Sequence, residues 1–250
     1  MRLPANLIVR RKGASEDYPC QVCWLDESYL SQVEELQAYI LETLPHKELY
    51  FPLSSTELVN ILTRQDGLAL GAFVAERLIG FGAVYYPQDN EDNLGRDVGL
   101  FASEFKHVAH LEACFVHPAY RGNRIQTKLG ELLLQQVLSE KEYRHLFSTV
   151  MPANSPSIVD KFVQKMKIVA LKQKYNNSWR YIFYRDLWVE EDFKERAAVP
   201  VPSSDLQQQL TLLNRGYQGI GYRKTGTGLE ILYDKKANGK NKILNATLLI

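Results

Sequence analysis

Two spacings of apolar residues divide about the first three quarters of the chain into strands and helices. Runs rich in β-branched and aromatic residues predict strands, and they cover residues 18–25, 68–74, 78–86, 108–116, 145–151, 167–175 and 178–188. Apolar residues three or four positions apart predict helices, and they cover residues 29–44, 56–62, 125–137 and 156–166. Ser54 and Glu57 form a capping-box signature before the second helix. The order β, α, α, β, β, β, α, β, α, β, β predicts a mixed α/β domain.

The composition changes after the last of these strands. Residues 190–204 (EEDFKERAAVPVPSS) are charged and then rich in proline, as domain boundaries often are. A helix at 205–214 and a hairpin that turns at 225–228 (TGTG) are predicted beyond them, followed by a basic tail. We therefore expect one domain at residues 1–190 and a small C-terminal extension of linker, helix, hairpin and tail at residues 191–250.

Composition and charge exclude several classes of protein. With 45% apolar and 24% charged residues, the chain has the proportions of an ordinary soluble globular protein. Its 30 basic and 29 acidic residues leave a net charge of +1, which provides no global attraction to nucleic acid or to an anionic membrane. No apolar stretch approaches the roughly 18 residues that span a bilayer. The apolar run near the N-terminus, at residues 7–9, is far shorter than the roughly seven residues of a signal-peptide core. We expect a cytoplasmic protein without a nucleic-acid or membrane partner.

Cysteines give no sign of a metal or redox site. The chain has three of them, an odd number that does not suit a disulfide framework. Cys20 and Cys23 share a predicted strand, on which residues three apart face opposite sides, and neither a second pair nor a suitably spaced histidine accompanies them. No metal is therefore predicted.

Residues 108–131, VAHLEACFVHPAYRGNRIQTKLGE, join an apolar strand to an amphipathic helix through a short polar turn. A glycine-containing turn of this kind leaves the first backbone N–H groups of the helix without partners, and such groups bind anions. Arg121 and Arg124 add positive charge beside these groups, and Asn123 and Thr127 add neutral donors. The residues predict a phosphate or pyrophosphate site, although an ordinary polar turn that binds nothing has the same local composition.

The wider pattern resembles the GNAT superfamily of acyl-CoA-dependent acyltransferases. The resemblance rests on GAFVAERLIGFGAVYY at 71–86, LEACFVHPAYRGNRIQTKLGELLL at 111–134 and MPANSPSIVDKFVQKMKI at 151–168. It implies a twisted, mixed and mostly antiparallel sheet of about seven strands flanked by about four helices. It also implies transfer of an acetyl or other short acyl group from acetyl-CoA, or a related acyl-CoA, to a primary amine.

The resemblance implies a cofactor role for residues in three places. Phe115 and Val116, at the end of the family's fourth strand, are implied to pair with the pantetheine arm of the cofactor. Asn154 and Ser157, at the start of the fourth helix, are implied to contact acyl-CoA as well. The pyrophosphate loop and its backbone donors correspond to Arg121, Gly122, Asn123, Arg124, Ile125, Gln126 and Thr127.

The loop departs from the family pattern Gln/Arg-x-x-Gly-x-Gly/Ala. Arg121 fits the first position, but Arg124 and Gln126 stand where small residues are expected. Glycine at these positions lets the backbone approach a phosphate closely. The two side chains either crowd the phosphate or, in the case of Arg124, replace the close approach by an ion pair.

Acyl transfer to an amine needs a base for the ammonium proton and an acid for the departing thiolate. Glu112 is the first candidate for the base, because a carboxylate in an apolar strand is unfavourable unless it is paired, hydrated or functional. A salt bridge to a neighbouring strand explains it equally well. His110 is the second candidate, since its usual pKa is near neutrality, although a lone histidine is more often part of a core. Many members of the family place a tyrosine acid on the fourth helix; Phe162 lies there instead, leaving water, Tyr120 or Tyr184 to supply the proton.

The remaining questions concern the acceptor and the class of function. The polar loop at 87–106 either attracts a cationic acceptor or is simply a charged surface loop, which we prefer; its acidic residues are Asp89, Glu91, Asp92, Asp97 and Glu104. The competing function is a non-catalytic acyl-CoA-binding or protein-interaction module, because the loop is irregular and the tyrosine is missing. A small amine or a protein amine as acceptor, and a homodimer formed through the extension, are left open.

Overall fold

The computed structural model describes residues 5–190, 198–226 and 228–235. Within these residues it has eleven strands and five α-helices, and the chain divides into two compact units. Unit 1 comprises Met1–Tyr86 and Leu111–Lys141, and unit 2 comprises Pro87–His110 and Glu142–Ile250. The strand β5 (Val108–Val116) therefore begins in unit 2 and ends in unit 1.

Unit 1 is a sheet covered by helices. Its strands lie in the order β1-β2-β3-β4-β5, and the first three neighbouring pairs are antiparallel. The other elements are β1 (Ala5–Arg10), β2 (Asp17–Trp24), α1 (Leu30–Thr43), α2 (Ser55–Leu62), β3 (Gly67–Val74), β4 (Arg77–Tyr85) and α3 (Ile125–Glu140). The predicted capping box is confirmed: the Ser54 N–H donates to Glu57 Oε2 at 2.7 Å, and the Glu57 N–H donates to Ser54 Oγ at 3.3 Å.

The main core of unit 1 lies between the sheet and the first two helices. Apolar side chains from α1 and α2 pack there against the face of the sheet that carries Phe81 and Phe115. The rings of Phe81 and Phe115 are stacked, with centroids 4.9 Å apart. This packing fixes the final residues of β5, from which the polar turn at 117–124 departs.

Unit 2 is a second, largely antiparallel arrangement of strands. Its strand order is β5-β6-β8-β7-β10-β11-β9, in which β6 is parallel to Val108–His110 and the remaining pairs are antiparallel. Its elements are β6 (His145–Val150), α4 (Ser155–Val163), β7 (Lys167–Lys174), β8 (Ser178–Asp186), β9 (Val199–Pro202), α5 (Leu206–Asn214), β10 (Tyr217–Thr225) and β11 (Gly228–Lys235).

The described part of the C-terminal region adds to the sheet of unit 2. Strand β10 pairs with β7 at Gly219 and Ile168, where a Cβ on the glycine would lie 2.9 Å from the Cβ of Ile168. Gln209 of α5 is fully buried, accepts hydrogen bonds from the hydroxyls of Tyr181 (2.7 Å) and Tyr233 (2.8 Å), and donates to two carbonyls of the β9 region. The helix and the hairpin lie where the sequence predicted them. The division of the chain at residue 190 stays a prediction.

The predicted fold class is confirmed, because the structure is a mixed α/β fold with a mostly antiparallel sheet. The number of strands differs: about seven were predicted for the domain and two more for the C-terminal hairpin, and the described residues contain eleven. Strands β1 and β9 were missed. β1 buries only Val9, and its apolar run at residues 7–9 is short; β9 contains two prolines, which sheets tolerate at an edge. The predicted basic tail lies outside the described residues.

Candidate functional site

The connection between β5 and α3 contains the predicted phosphate loop. After β5 ends at Val116, residues Pro118–Tyr120 form a single 3-10 turn, and Gly122 follows with a φ of 94°. Helix α3 begins at Ile125, and no side chain caps its N-terminus. The first N–H groups of a helix have no partner within the helix. The turn therefore presents donors of the kind that bind an anion.

Arg124 occupies the N-cap position of α3 in the left-handed conformation, with φ 58° and ψ 22°. A residue with a side chain pays roughly 1–2 kcal/mol for this conformation, whereas glycine adopts it freely. The backbone at Arg124 thus has the geometry that a glycine would give, and the arginine side chain is added to it. The side chain is exposed, so it is free to meet a ligand from the solvent side.

Two glycines of β4 set the position of the α3 N-terminus. A Cβ on Gly80 would lie 3.0 Å from Cγ2 of Ile125, and a Cβ on Gly82 would lie 3.2 Å from the Cβ of Leu129. Both distances are shorter than ordinary contact, so α3 sits against bare strand backbone. Ile125 and Leu129 are buried there. The first turn of α3 is consequently held against β4, and its backbone N–H groups lie at the end of the helix that adjoins the loop.

The N-terminal hairpin, β1 with β2, holds the loop from the side. The Arg10 N–H donates to Asn123 Oδ1 at 2.8 Å, and Asn123 Nδ2 donates to the carbonyls of Arg10 (2.7 Å) and Tyr120 (2.8 Å). The Lys12 N–H donates to the Ala119 carbonyl at 2.7 Å. The Asn123 side chain, predicted as a ligand donor, is therefore a clamp within the protein. Its backbone N–H remains the group that the phosphate-site prediction uses.

Positive charge gathers around His117, the residue that connects β5 to the turn. Burial, and next the charges of Arg77, Arg11 and Arg121, lower the pKa of His117. Its ring is stacked on Tyr39 with centroids 4.7 Å apart, and Nδ1 accepts a hydrogen bond from the Ala119 N–H at 3.1 Å. Three arginines from separate parts of unit 1 thus lie close enough for their charges to act on His117. The net charge of the whole chain, +1, gives no indication of this local concentration of positive charge.

Phe115 and Val116, the two residues predicted to bind pantetheine, make different contacts within the protein. The Phe115 side chain is buried against Phe81, and its ring also meets the Tyr50 ring edge-on at 5.5 Å. Its backbone alone can face a ligand. The carbonyl of Val116 accepts a hydrogen bond from Nε of Arg121 at 3.3 Å, so this arginine folds back along the strand end and links it to the loop.

Glu112, the first candidate for the base, is half-buried on β5. Burial, followed by the charge of the Glu112 carboxylate, raises the pKa of Tyr50, which keeps the phenol protonated. The Tyr50 hydroxyl donates to Gln37 Oε1 at 2.6 Å. The same amide donates to the Leu53 carbonyl at 2.8 Å and accepts from the Leu53 N–H at 3.1 Å. Gln37 therefore holds the segment between α1 and α2 in place. This segment includes Tyr50, whose pKa is raised in part by the charge of Glu112.

The sequence patterns did not predict Tyr50 and Gln37. A usable signal existed for Gln37, because it lies beside the apolar positions of α1 and is a polar residue on the buried face. Tyr50 lies in an irregular segment where periodicity carries no information.

His110, the second candidate for the base, is buried in unit 2. Its Nε2 accepts a hydrogen bond from the Leu94 N–H at 3.2 Å, and its ring meets that of Phe147 edge-on at 6.3 Å. Burial, helped by the charge of Lys174, lowers its pKa from 6.5 to about 3. The ring is neutral at physiological pH, and its acceptor nitrogen supports the 87–107 loop. These contacts describe a structural histidine.

The predicted residues of the fourth helix lie at the start of α4. Asn154 is the N-cap, and its Oδ1 accepts from the Ser157 N–H at 3.2 Å. Phe162, in the neighbourhood where the family often has a tyrosine, packs edge-on against Phe183 with centroids 5.2 Å apart. The Tyr184 hydroxyl lies 3.1 Å from Nδ1 of His145. Asn154 thus has a capping role whether or not it contacts a ligand.

Acidic residues of the 87–106 loop are largely neutralised by partners in unit 2. Asp89 pairs with Arg96, and Asp97 pairs with Lys172 (3.3 Å) and Lys174 (2.7 Å). Glu104 lies 2.9 Å from Nε2 of His145, which holds the pKa of this carboxyl below its usual range. These contacts hold three of the five acidic residues within the loop and its surroundings. The interpretation of the segment as an ordinary charged surface loop stays a prediction.

The described residues contain no group of three or more His, Cys, Asp or Glu side chains placed to hold a metal ion. Cys20 is buried, and burial raises its pKa to about 11 and also raises that of Cys23. Neither thiol is an activated nucleophile. Among the same residues no helix is long and apolar enough to cross a membrane.

Several solved structures share this fold. Arabidopsis thaliana NAA60 in complex with acetyl-CoA superposes with a TM-score of 0.54 at 17% identity, covering 67% of this chain and 98% of that chain. An N-acetyltransferase from Staphylococcus aureus Mu50 gives 0.51 at 15% identity, with 68% and 99% covered. The putative acetyltransferase yncA from Salmonella typhimurium, with its cofactor acetyl-CoA, gives 0.51 at 14% identity, with 71% and 98% covered. At these identities the likeness concerns the fold.

Family membership follows from the sequence match. No curated protein matches the sequence significantly. The profile of the Acetyltransferase (GNAT) family matches residues 33–159, just over half of the 250 residues. The matched region includes Glu112 and the whole connection from β5 to α3. This chain belongs to the GNAT acetyltransferase family.

Proposed function

We propose that the protein transfers an acetyl or other short acyl group from acyl-CoA to a primary amine. The observation that carries the proposal is the turn between β5 and α3 in a chain of this family. It combines an uncapped helix N-terminus, a left-handed residue before it and the charged side chains of Arg121 and Arg124. Such a turn suits the pyrophosphate of acyl-CoA.

The donor chemistry of the turn fits this cofactor. In this proposal the backbone N–H groups from Asn123 to Thr127, at the start of α3, bind the pyrophosphate, and the Arg121 and Arg124 side chains add two formal charges. In this proposal the backbone of Phe115 and Val116 binds the pantetheine arm. Asn154 and Ser157, which lie in unit 2, stay predictions from the family resemblance, as do the cytoplasmic location and the homodimer.

Glu112 is the base in this proposal, acting directly or through a water molecule. It accepts a proton from the ammonium form of the acceptor, so that the amine lone pair becomes available for attack on the thioester carbonyl. The amide bond forms as the carbon–sulfur bond breaks, and the departing CoA thiolate takes up a proton from water or a nearby hydroxyl. The phenol of Tyr50, close enough to sense the carboxylate, stays protonated and neutral beside it. His110 has no part in proton transfer here, because its buried ring stays neutral and its nitrogen is occupied.

A thiol-release assay with acetyl-CoA and a broad panel of amines tests the proposal. Turnover by the wild type should fall by roughly a hundredfold or more in Glu112→Gln, as expected for loss of a general base. The matched control is Glu131→Gln, which makes the same change at a carboxylate on α3 that pairs with Lys128 at 3.5 Å. It should retain activity. Full activity of Glu112→Gln would contradict the role of Glu112, and tight CoA binding without turnover on any amine would favour the non-catalytic binding module.

A further inference from the structure

The basic run Arg10–Arg11–Lys12 at the end of β1 is a charged motif that the proposed function does not use. It is fastened to the phosphate loop by backbone contacts: Asn123 bonds the Arg10 N–H and carbonyl, and the Lys12 N–H bonds Ala119. The side chains of Arg10, Arg11 and Lys12 are all exposed. The run therefore has a fixed position beside the loop while its charges face solvent.

The basic residues near the loop differ in whether they form an ion pair within the protein. Arg10 is neutralised by Asp17 at 2.8 Å. Arg11 and Lys12, and with them Arg77 at the start of β4, form no ion pair within residues 5–190, 198–226 and 228–235. We call these three residues the hairpin cations. Arg11 and Arg77 come from different hairpins, yet both lie close enough to His117 for their charges to act on its ring.

The positive charge near the loop exceeds what a pyrophosphate needs. Arg121 and Arg124 already match the single negative charge on each phosphate of a pyrophosphate diester. The hairpin cations add three further charges, and like charges held near one another repel unless a ligand compensates them. A phosphate monoester carries about 1.5 to 2 negative charges at neutral pH. A second phosphate group of this kind would therefore complete the charge balance.

We propose that the hairpin cations bind the phosphate monoester of acyl-CoA, the 3′-phosphate on its ribose, as a second anion site beside the pyrophosphate loop. The inference rests on the proposed function, because it concerns the same cofactor. It assigns to the N-terminal hairpin, together with Arg77 of the β3–β4 hairpin, the ability to distinguish CoA from its 3′-dephospho form. The N-terminal hairpin thereby does two things: its backbone supports the loop, and its side chains contribute to binding the phosphate.

Calorimetric titration with CoA and 3′-dephospho-CoA tests the inference on the full chain. The wild type should bind CoA roughly tenfold or more tightly than dephospho-CoA, since two or three exposed charge contacts together give about this factor. In Arg11→Ala/Arg77→Ala, which keeps only Lys12 of the three cations, the preference for CoA should shrink several-fold, because CoA binding weakens and dephospho-CoA binding does not. The control Arg215→Ala/Lys224→Ala removes two exposed charges elsewhere and should keep the preference.

Each result decides the matter. Equal affinities of the wild type for the two ligands would overturn the hairpin site and leave the proposed function standing. A preference that is undiminished in Arg11→Ala/Arg77→Ala, or that shrinks equally in the control, would also overturn it. Binding of neither ligand would overturn the proposed function itself. The melting temperature of the unliganded double variant should equal or exceed that of the wild type, because the substitution removes repulsion and no described contact.

Discussion

The Asn123 side chain offers a direct way to loosen the phosphate loop without touching its charges. Asn123→Ala removes three hydrogen bonds of 2.7–2.8 Å, two to Arg10 and one to Tyr120. A hydrogen bond contributes about 0.5–1.5 kcal/mol, and the lower half of that range applies where water can replace the partner. We therefore expect the free energy of unfolding to fall by about 1.5–3 kcal/mol. For a chain of this size that corresponds to a melting temperature lower by roughly 3–10 °C.

Differential scanning calorimetry of the unliganded protein measures the first effect, and titration with acetyl-CoA measures the second. Affinity for acetyl-CoA should fall as well, because a detached loop must be ordered again on binding. Asn214→Ala, which truncates an exposed asparagine at the end of α5, is the matched control and should change neither quantity appreciably. If Asn123→Ala behaves like the control, the hairpin does not hold the loop and the reasoning is refuted.

Three further predictions use other parts of the structure. Arg124→Gly should exceed Arg124→Ala in free energy of unfolding by about 1 kcal/mol, because both remove the charge but only glycine relieves the left-handed backbone; equal urea midpoints would contradict this. The folded His110 has a pKa of about 3 against 6.5 for the free side chain, so the unfolded chain binds the extra proton between these values. Stability is complete above pH 6.5 and falls by at most about 1.4 kcal/mol per pH unit below it. His110→Gln should flatten that slope in denaturation curves, and an unchanged slope would disprove the assignment. Gln209→Leu should lower the free energy of unfolding by about 3 kcal/mol, since it leaves two buried tyrosine hydroxyls without their acceptor, whereas the exposed Gln208→Leu should be nearly neutral; equal urea curves for the two variants would refute the buried network.

The sequence was sufficient to predict the elements whose apolar residues follow a clear pattern, either helical spacing or a nearly continuous run. α1 and α3 have buried residues at helical spacing, and β3, β4 and β5 are nearly continuous apolar runs. Strands β1 and β9 have no such pattern, because each lies at an edge of the sheet and buries a single side chain. Edge strands are defined by their neighbours, which a local pattern does not contain.

The candidate site shows the same division. The position of the turn proposed to bind an anion was predictable, because a strand, a glycine and a helix follow one another directly in the sequence. The clamp between Asn123 and Arg10 joins residues 113 positions apart, and the cations near His117 come from three separate segments. Local patterns in the sequence could therefore not predict long-range contacts of this kind. The same limitation explains why Asn123 was predicted as a ligand donor although its side chain bonds to β1.

Acetyl-CoA binding by the turn between β5 and α3 is the central claim, and one titration tests it most directly. Acetyl-CoA is titrated calorimetrically into the wild type, Arg121→Glu/Arg124→Glu and the control Arg215→Glu/Lys224→Glu, which changes the net charge equally. Tight binding is expected for the wild type and the control. Affinity of the loop variant should be lower by roughly a hundredfold or more, because two attractive charges become repulsive. Equal affinity of all three proteins, or binding by none, would contradict the assignment of this turn as the acyl-CoA site.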